Sequence, residues 1–153
     1  MYNSVEFAKY IAAFWNDRKA DINMTKIQKL LYIAYGTWLA VSGDRLVKEH
    51  PQAWPHGPVF PTTRNKLLKE DFNAINYDSI ADEKLKNDTD IKILMEVVFK
   101  KFGTWTAYTL SNWSHKEGSP WEYVVSQPNF KWGEVIPDDR IKSYFKKIVV
   151  KND

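Results

Sequence analysis

The sequence of 153 residues contains no cysteine. This absence excludes disulfide bonds, thiolate nucleophiles and zinc sites with cysteine ligands, because each of these needs a thiol. Long apolar runs are missing too, since none approaches the roughly 18 residues that a membrane-spanning helix requires. The first ten residues include Glu6 and Lys9 and lack the basic start and apolar stretch of a signal peptide. We therefore expect a cytoplasmic protein without a membrane partner.

Motifs for metal binding, nucleotide binding and catalysis are also missing. The three histidines, His50, His56 and His115, form no His-x-x-x-His pair, and the six glycines form neither a Walker motif nor Gly-x-Gly-x-x-Gly. Ser114 precedes His115, but adjacent helical residues point about 100° apart, so the two side chains would not meet as nucleophile and base. We predict that the protein is not an enzyme and uses no metal or cofactor. We expect His115 to pack against or cap the end of a short helix.

A strong excess of charge of one sign is missing along almost the whole chain. The 22 basic and 19 acidic residues give a formal net charge of +3 and are interspersed. This mixing is typical of a solvated surface, whereas nucleic-acid binding needs several cations that neutralise neighbouring phosphates. The best candidate for a DNA recognition helix, residues 64–69, offers three cations beside Glu70 and Asp71. The sequence thus argues against nucleic acid as a partner, although a DNA-binding transcriptional regulator stays open as an alternative function.

Apolar and aromatic residues, in contrast, are abundant and recur at helical spacing. The apolar fraction is 44% and the aromatic fraction 15%, a composition typical of a globular protein. Apolar positions that repeat every three to four residues predict amphipathic helices. These helices are expected at about residues 4–15, 25–42, 61–68, 89–102, 106–114, 120–126 and 137–149.

Caps and breaks in this pattern define the rest of the fold. We expect Ser4 to cap the first helix, a capping box of Thr25 and Gln28 to begin the second, and Gly43 and Gly103 to end helices, Gly43 in the left-handed conformation. Between residues 45 and 60 the helical period fails and prolines recur, which predicts a small irregular or β-hairpin insertion. The predicted fold class is mostly α: a single compact domain over residues 1–153 with about five to seven helices.

Seven tryptophans allow two interpretations. Trp15 and Trp38 fall at helical spacing and are expected in the core. Trp54 lies in a proline-rich loop, and Trp113 and Trp121 flank another loop, where rigid aromatic side chains often anchor protein interfaces. The alternative is that the loop folds back and Trp54 fills the helical bundle. The sequence leaves both interpretations open.

Three segments, in this order, carry a resemblance to a known family. They are Met-Thr-Lys-Ile-Gln-Lys-Leu-Leu-Tyr-Ile-Ala-Tyr-Gly at residues 24–36, Gln-Ala-Trp-Pro-His-Gly-Pro-Val-Phe-Pro at residues 52–61, and Leu-Ser-Asn-Trp-Ser-His-Lys-Glu-Gly-Ser-Pro-Trp at residues 110–121. Together they resemble the Panacea domain, a family that includes SocA-like antitoxins and GepA-like phage-associated proteins.

The resemblance implies an antitoxin that neutralises a cognate toxin by direct protein–protein binding, the toxin being encoded by the adjacent gene. One family member is understood as a proteolytic adaptor, so delivery of the toxin to a Clp-type protease is an alternative function, with that protease as a further partner.

The family's motifs also single out particular residues of this chain. Leu30, Leu31 and Tyr32 match the helical motif and are expected to be structural. Six further positions match the loop motifs and are candidates for partner binding: Trp54, Gly57, Pro58, His115, Pro120 and Trp121. Glycine beside proline fixes a tight turn, so Gly57 and Pro58 can hold the fold as readily as contact a partner.

Overall fold

The computed structural model describes residues 1–151, with side chains up to residue 149. Eight α-helices and one β-hairpin follow one another in this part of the chain. They are α1 (Ser4–Asp17), α2 (Met24–Ser42), β1 (Gln52–Trp54), β2 (Gly57–Val59), α3 (Pro61–Leu67), α4 (Glu83–Lys86), α5 (Thr89–Phe102), α6 (Ala107–Ser114), α7 (Pro120–Val125) and α8 (Asp138–Lys151). The predicted mostly α fold with a hairpin near residues 45–60 is confirmed.

The helix count exceeds the expected range because the polar stretch between α3 and α5 is not irregular. Two 3₁₀ turns, Phe72–Ala74 and Tyr77–Ser79, precede the four-residue helix α4. The Asp82 side chain caps α4 by accepting a hydrogen bond from the Leu85 amide, and the Leu85 side chain is fully buried. One buried leucine in a charged segment leaves no periodic signal in the sequence, so pattern analysis misses this helix.

Helix α2 lies at the centre of the domain and packs against α1, α5, α6 and α8. Its side chains are buried on all faces from Lys26 to Gly36, as expected for a helix surrounded by others. Gly36 marks the crossing with α8, where a Cβ atom would overlap the Phe145 ring. The start of α8 is also tied to α2, because the Tyr35 hydroxyl donates a hydrogen bond of 2.5 Å to Asp138.

The helix ends correct two details of the sequence analysis and confirm two others. Asn3, not Ser4, caps α1 by accepting hydrogen bonds from two amides of the first turn. Asn23 caps α2, so the expected capping box of Thr25 and Gln28 is wrong. Gly43 ends α2 in the left-handed conformation with φ of 80°, as predicted. Gly103 ends α5, also as predicted, with φ of −56°.

Instead of capping α2, the Gln28 side chain fixes the hairpin to this helix. Its amide group accepts a hydrogen bond from the Phe60 amide (2.7 Å) and donates one to the Phe60 carbonyl (3.2 Å). The opposite edge of the hairpin pairs with the segment before α8, where the Ala53 amide donates to the Glu134 carbonyl (2.8 Å) and the Gly133 amide donates to the Ala53 carbonyl (2.9 Å). The hairpin is therefore held on both sides.

No helix within residues 1–151 combines the length and apolar composition that crossing a bilayer would require.

Candidate partner-binding site at the motif junction

The two loop motifs, far apart in sequence, meet in the structure. The Trp121 indole N–H donates a hydrogen bond of 2.7 Å to the Trp54 carbonyl oxygen. The His115 and Trp121 rings lie 5.3 Å apart between centroids. A further bond joins the tip of the hairpin to α6, since the Ser111 hydroxyl donates to the His56 carbonyl at 2.9 Å. We call this region the motif junction and define it by Trp54, Gly57, Pro58, His115, Pro120 and Trp121.

Three residues of the motif junction are buried and hold it together. Gly57 adopts φ of 117°, and a Cβ atom there would lie 2.6 Å from the Ser114 hydroxyl oxygen. Pro58 offers its carbonyl oxygen to the Lys29 ammonium group at 2.8 Å. Pro120 opens α7, where a preset φ favours the first helical turn. The buried positions of these three residues favour a structural role.

Lys29 is an unusual support for this junction. Its side chain, on α2, is only 3% exposed, and no carboxylate forms an ion pair with it among the described residues. Burial lowers the pKa of its amine to about 8, because a charged ammonium group is poorly stabilised away from water. Its only hydrogen bond with the hairpin is the one to Pro58.

The other three junction residues, Trp54, His115 and Trp121, are half-buried and reach the surface. Trp54 thus lies at the edge of the domain and does not fill the bundle. Its indole N–H donates to the Gln52 side chain at 3.1 Å, and the Arg64 guanidinium lies 5.6 Å from its ring centroid. Arg64 belongs to α3, the seven-residue helix considered above as a DNA recognition helix.

Trp132 extends this surface, although the sequence analysis missed it. Its side chain is 57% exposed, and its ring lies 6.3 Å from that of Trp121 and 4.9 Å from that of Phe130. We call Trp54, Trp121, Phe130 and Trp132 the aromatic ledge. The signal that could have revealed Trp132 is an aromatic pair in a non-periodic loop next to Gly133, which adopts φ of 95°.

The remaining residues singled out in the sequence lie elsewhere or make other contacts. Leu30, Leu31 and Tyr32 are buried in the core, the Tyr32 ring being 5.5 Å from that of Phe145. Trp113 is half-buried and packs on Phe102 and Phe145, so it belongs to the core edge.

Ser114 and His115 are adjacent in sequence but form no nucleophile–base pair. His115 ends α6 as its C-cap, as predicted. The Ser114 hydroxyl donates to the Ser111 carbonyl at 2.7 Å and is buried. Within residues 1–151, no group of three or more histidine, aspartate and glutamate side chains could hold a metal ion.

Comparison with known proteins gives one family and one curated relative. Residues 27–122 match the family described as "Antitoxin SocA-like, Panacea domain", a range that includes the whole motif junction but not Trp132. Over 157 aligned residues the chain is 30% identical to antitoxin SocA of Caulobacter vibrioides (strain NA1000 / CB15N), with 91% of this chain and 82% of that protein covered. No solved structure matches the chain significantly.

Proposed function

The chain belongs to the Panacea-domain family of SocA-like antitoxins, and from this premise we propose that it neutralises a cognate toxin by binding it directly, without catalysis. The toxin is the product of the adjacent gene. The family itself indicates an antitoxin role in a toxin–antitoxin system. Direct binding and the identity of the partner are our proposal.

The observation that supports direct binding best is the aromatic ledge. Tryptophan side chains bury a large area on association and lose little rotamer freedom, which is why they are frequent hot spots of interfaces. Here the indoles of Trp54 and Trp121 are already fixed by hydrogen bonds of 3.1 and 2.7 Å. A surface that is ordered before binding loses less entropy when the partner docks. We propose that Trp54, Trp121 and Trp132 contact the toxin, with His115 beside them.

Action by binding also agrees with the surroundings of Ser114, the candidate nucleophile considered in the sequence analysis. The Ser114 hydroxyl is buried against Gly57 and bonded within its own helix. A nucleophile needs a base within about 2.6–3.2 Å and access for a substrate, whereas the Ser114 hydroxyl is buried and donates to a backbone carbonyl. The residues that hold the hairpin form an ordered scaffold beneath an exposed aromatic surface, which suits binding.

The direct test is co-expression with the product of the neighbouring gene, with growth, co-purification and the cellular amount of the toxin as readouts. We expect rescued growth, a stable complex and an unchanged amount of toxin. Rescue with loss of the toxin would favour delivery to a Clp-type protease instead. If the neighbour is toxic but neither rescued nor bound, the proposal is wrong.

Two exposed aromatic residues provide a matched pair of variants for this test. Trp132→Ala removes the most exposed part of the ledge, and Tyr108→Ala removes a side chain that is 77% exposed on α6 outside the ledge. We expect Trp132→Ala to weaken toxin binding by about 2 kcal/mol, the level of a hot spot. Tyr108→Ala should bind as the wild type does. Equal affinities of the two variants would exclude the ledge as the contact surface.

A further inference from the structure

An apolar cleft lies between α2, α5, α6 and α8, apart from the motif junction. Its volume is about 250 Å³, and only Thr37 and Lys101 contribute polar side chains to the lining. Val97, Val98 and Phe102 form the α5 wall, and Phe145 and Val149 form part of the α8 wall. Small-molecule sites usually measure about 300–1,000 Å³, so this cleft is better suited to one or two side chains of a larger partner.

Exposed apolar side chains extend the cleft along α5. Ile93 and Val97 are 59% and 56% exposed, and they lie one helical turn apart on the outer side of the helix. The core face of α5 is formed by other residues, so these two are not needed to hold the helix against the domain. A continuous apolar strip bordered by polar residues is typical of a surface that a partner covers.

The charges beside this strip are mostly positive. Lys100 and Lys101 lie at the end of α5 and Glu96 adjoins Val97, whereas Lys142 and Lys147 of α8 line other surface pockets. Lys101 lines the cleft itself. Lys116 is a further cation at the α6 end, with its ammonium nitrogen 5.9 Å from the ring centroid of Trp113, another lining residue. This local excess contrasts with the mixed charges of the chain as a whole.

We propose that the cleft is a second contact surface for the toxin and that it binds an acidic amphipathic helix of that protein. The apolar face of the helix inserts a side chain between α5 and α8 and covers Val97, which is the helix-in-groove mode of recognition. Acidic residues at the edges of that face lie opposite Lys100, Lys101 and Lys116, and their attraction fixes orientation and accelerates association. This inference rests on the proposed antitoxin function for the identity of the partner.

The chemistry of the cleft can be tested without the toxin. The probe is a fluorescein-labelled peptide of about 18 residues, long enough to form a helix, with leucines on one face and glutamates on the other. We expect the wild-type protein to bind it, and to bind a version with lysine in place of glutamate at least about tenfold more weakly. Equal binding of both peptides, or binding of neither, would overturn the proposal.

Two protein variants make this test specific to the cleft. Val97→Glu places a carboxylate on the exposed strip, and Val41→Glu does the same at a site on α2 that is 61% exposed and outside the cleft lining. We expect at least about tenfold weaker peptide binding for Val97→Glu, because the carboxylate repels the acidic helix. Val41→Glu should bind as the wild type does. Circular dichroism checks that both variants fold, and unchanged peptide binding by folded Val97→Glu contradicts the proposal.

The toxin complex then separates this inference from the proposed function. We expect Val97→Glu and Lys101→Glu to dissociate from the toxin at least about tenfold more readily, with the wild-type complex weakened by salt. If the toxin binds the wild type and both variants equally, the helix proposal is wrong and the antitoxin function stands. If the toxin does not bind the wild type, the antitoxin function itself fails, and with it the assignment of the cleft. A wild-type dimer that Val97→Glu dissociates would assign the cleft to a second copy and overturn the proposal.

Discussion

Replacing Gly57 by alanine is the sharpest perturbation of the motif junction. The residue adopts φ of 117°, a conformation that residues with a side chain rarely adopt. An alanine Cβ would also lie 2.6 Å from the Ser114 hydroxyl oxygen and 3.3 Å from the Lys29 ammonium nitrogen. Both neighbours are buried, so the added methyl group has no open space to occupy.

The two effects give an expected loss of stability. Backbone strain of this kind costs about 1–3 kcal/mol. Crowding of a well-packed site costs about another 1–3 kcal/mol. We therefore predict that Gly57→Ala lowers the free energy of unfolding by about 2–6 kcal/mol, a large part of the about 5–15 kcal/mol that stabilises a typical domain.

Gly118→Ala is the matched control for this experiment. Gly118 has φ of 83°, but a Cβ atom there would meet nothing within 4 Å, so only the backbone strain applies. Urea unfolding followed by tryptophan fluorescence measures both variants, and an unchanged slope with denaturant shows that the comparison is valid. Equal losses in the two variants would refute the argument that Gly57 is required by its neighbours.

A double-mutant cycle tests the contact with Ser114 itself. Ser114→Ala removes the oxygen that the new methyl group meets, at the cost of its hydrogen bond to Ser111. The double variant Gly57→Ala/Ser114→Ala should therefore lose less stability than the sum of the single variants, by about 0.5–3 kcal/mol. Additive losses would show that the Ser114 contact contributes nothing.

Three further predictions concern the supports of the hairpin. Gln28→Ala leaves the buried Phe60 amide unpaired, whereas the Phe60 carbonyl keeps its hydrogen bond from the Arg64 amide (3.0 Å), so urea unfolding should show a loss of about 1–3 kcal/mol; a loss below about 1 kcal/mol contradicts this. An unfolded lysine keeps its proton up to about pH 10.5 and folded Lys29 only up to a pKa of about 8, so the unfolded chain binds more protons between these values and stability should rise as pH increases from 8. Lys29→Met should abolish that rise, measured by urea unfolding between pH 7 and about 9, where tyrosines with an ordinary pKa of about 10 are still mostly protonated; the same rise in the variant would refute it. Trp121→Phe removes the indole hydrogen bond to Trp54 and should cost about 1 kcal/mol, with faster amide exchange in β1; unchanged exchange there speaks against a holding role.

The fold was predictable where one physical signal dominates. Helices in which apolar residues repeat at helical spacing over several turns, such as α5, follow from local pattern alone, and so does the left-handed end of α2 at Gly43. The prediction of a capping box was wrong because the sequence does not show which partner a glutamine side chain bonds. Gln28 could cap its own helix, but in the structure it pairs with the backbone of Phe60. Long-range hydrogen bonds of this kind have no spacing rule, so the sequence does not reveal them.

The candidate site was predictable only through its motifs. The segments around Trp54 and Trp121 were identified, but nothing in their spacing showed that one indole would donate to the backbone of the other. The exposure of each tryptophan was also unpredictable, because the sequence does not distinguish a half-buried tryptophan in a loop from one in the core. Trp132 was missed for the same reason, since it lies in a loop, where no helical or strand periodicity indicates whether a side chain faces the core or the solvent.

The distribution of burial across the junction suggests how scaffold and recognition are divided in this protein. Gly57, Pro58 and Pro120 are enclosed, and a change at any of them acts first on the hairpin or on the start of α7 and only through these on a partner. Trp132 lies outside the range that matches the family, yet it is the most exposed member of the ledge. On the proposal that the ledge contacts the toxin, substitutions at Trp132 are expected to alter partner choice at little cost in stability, since exposed side chains contribute little to the core. On this argument, relatives that bind different toxins differ more at the position of Trp132 and around the α5–α8 cleft than at the glycine and prolines of the junction.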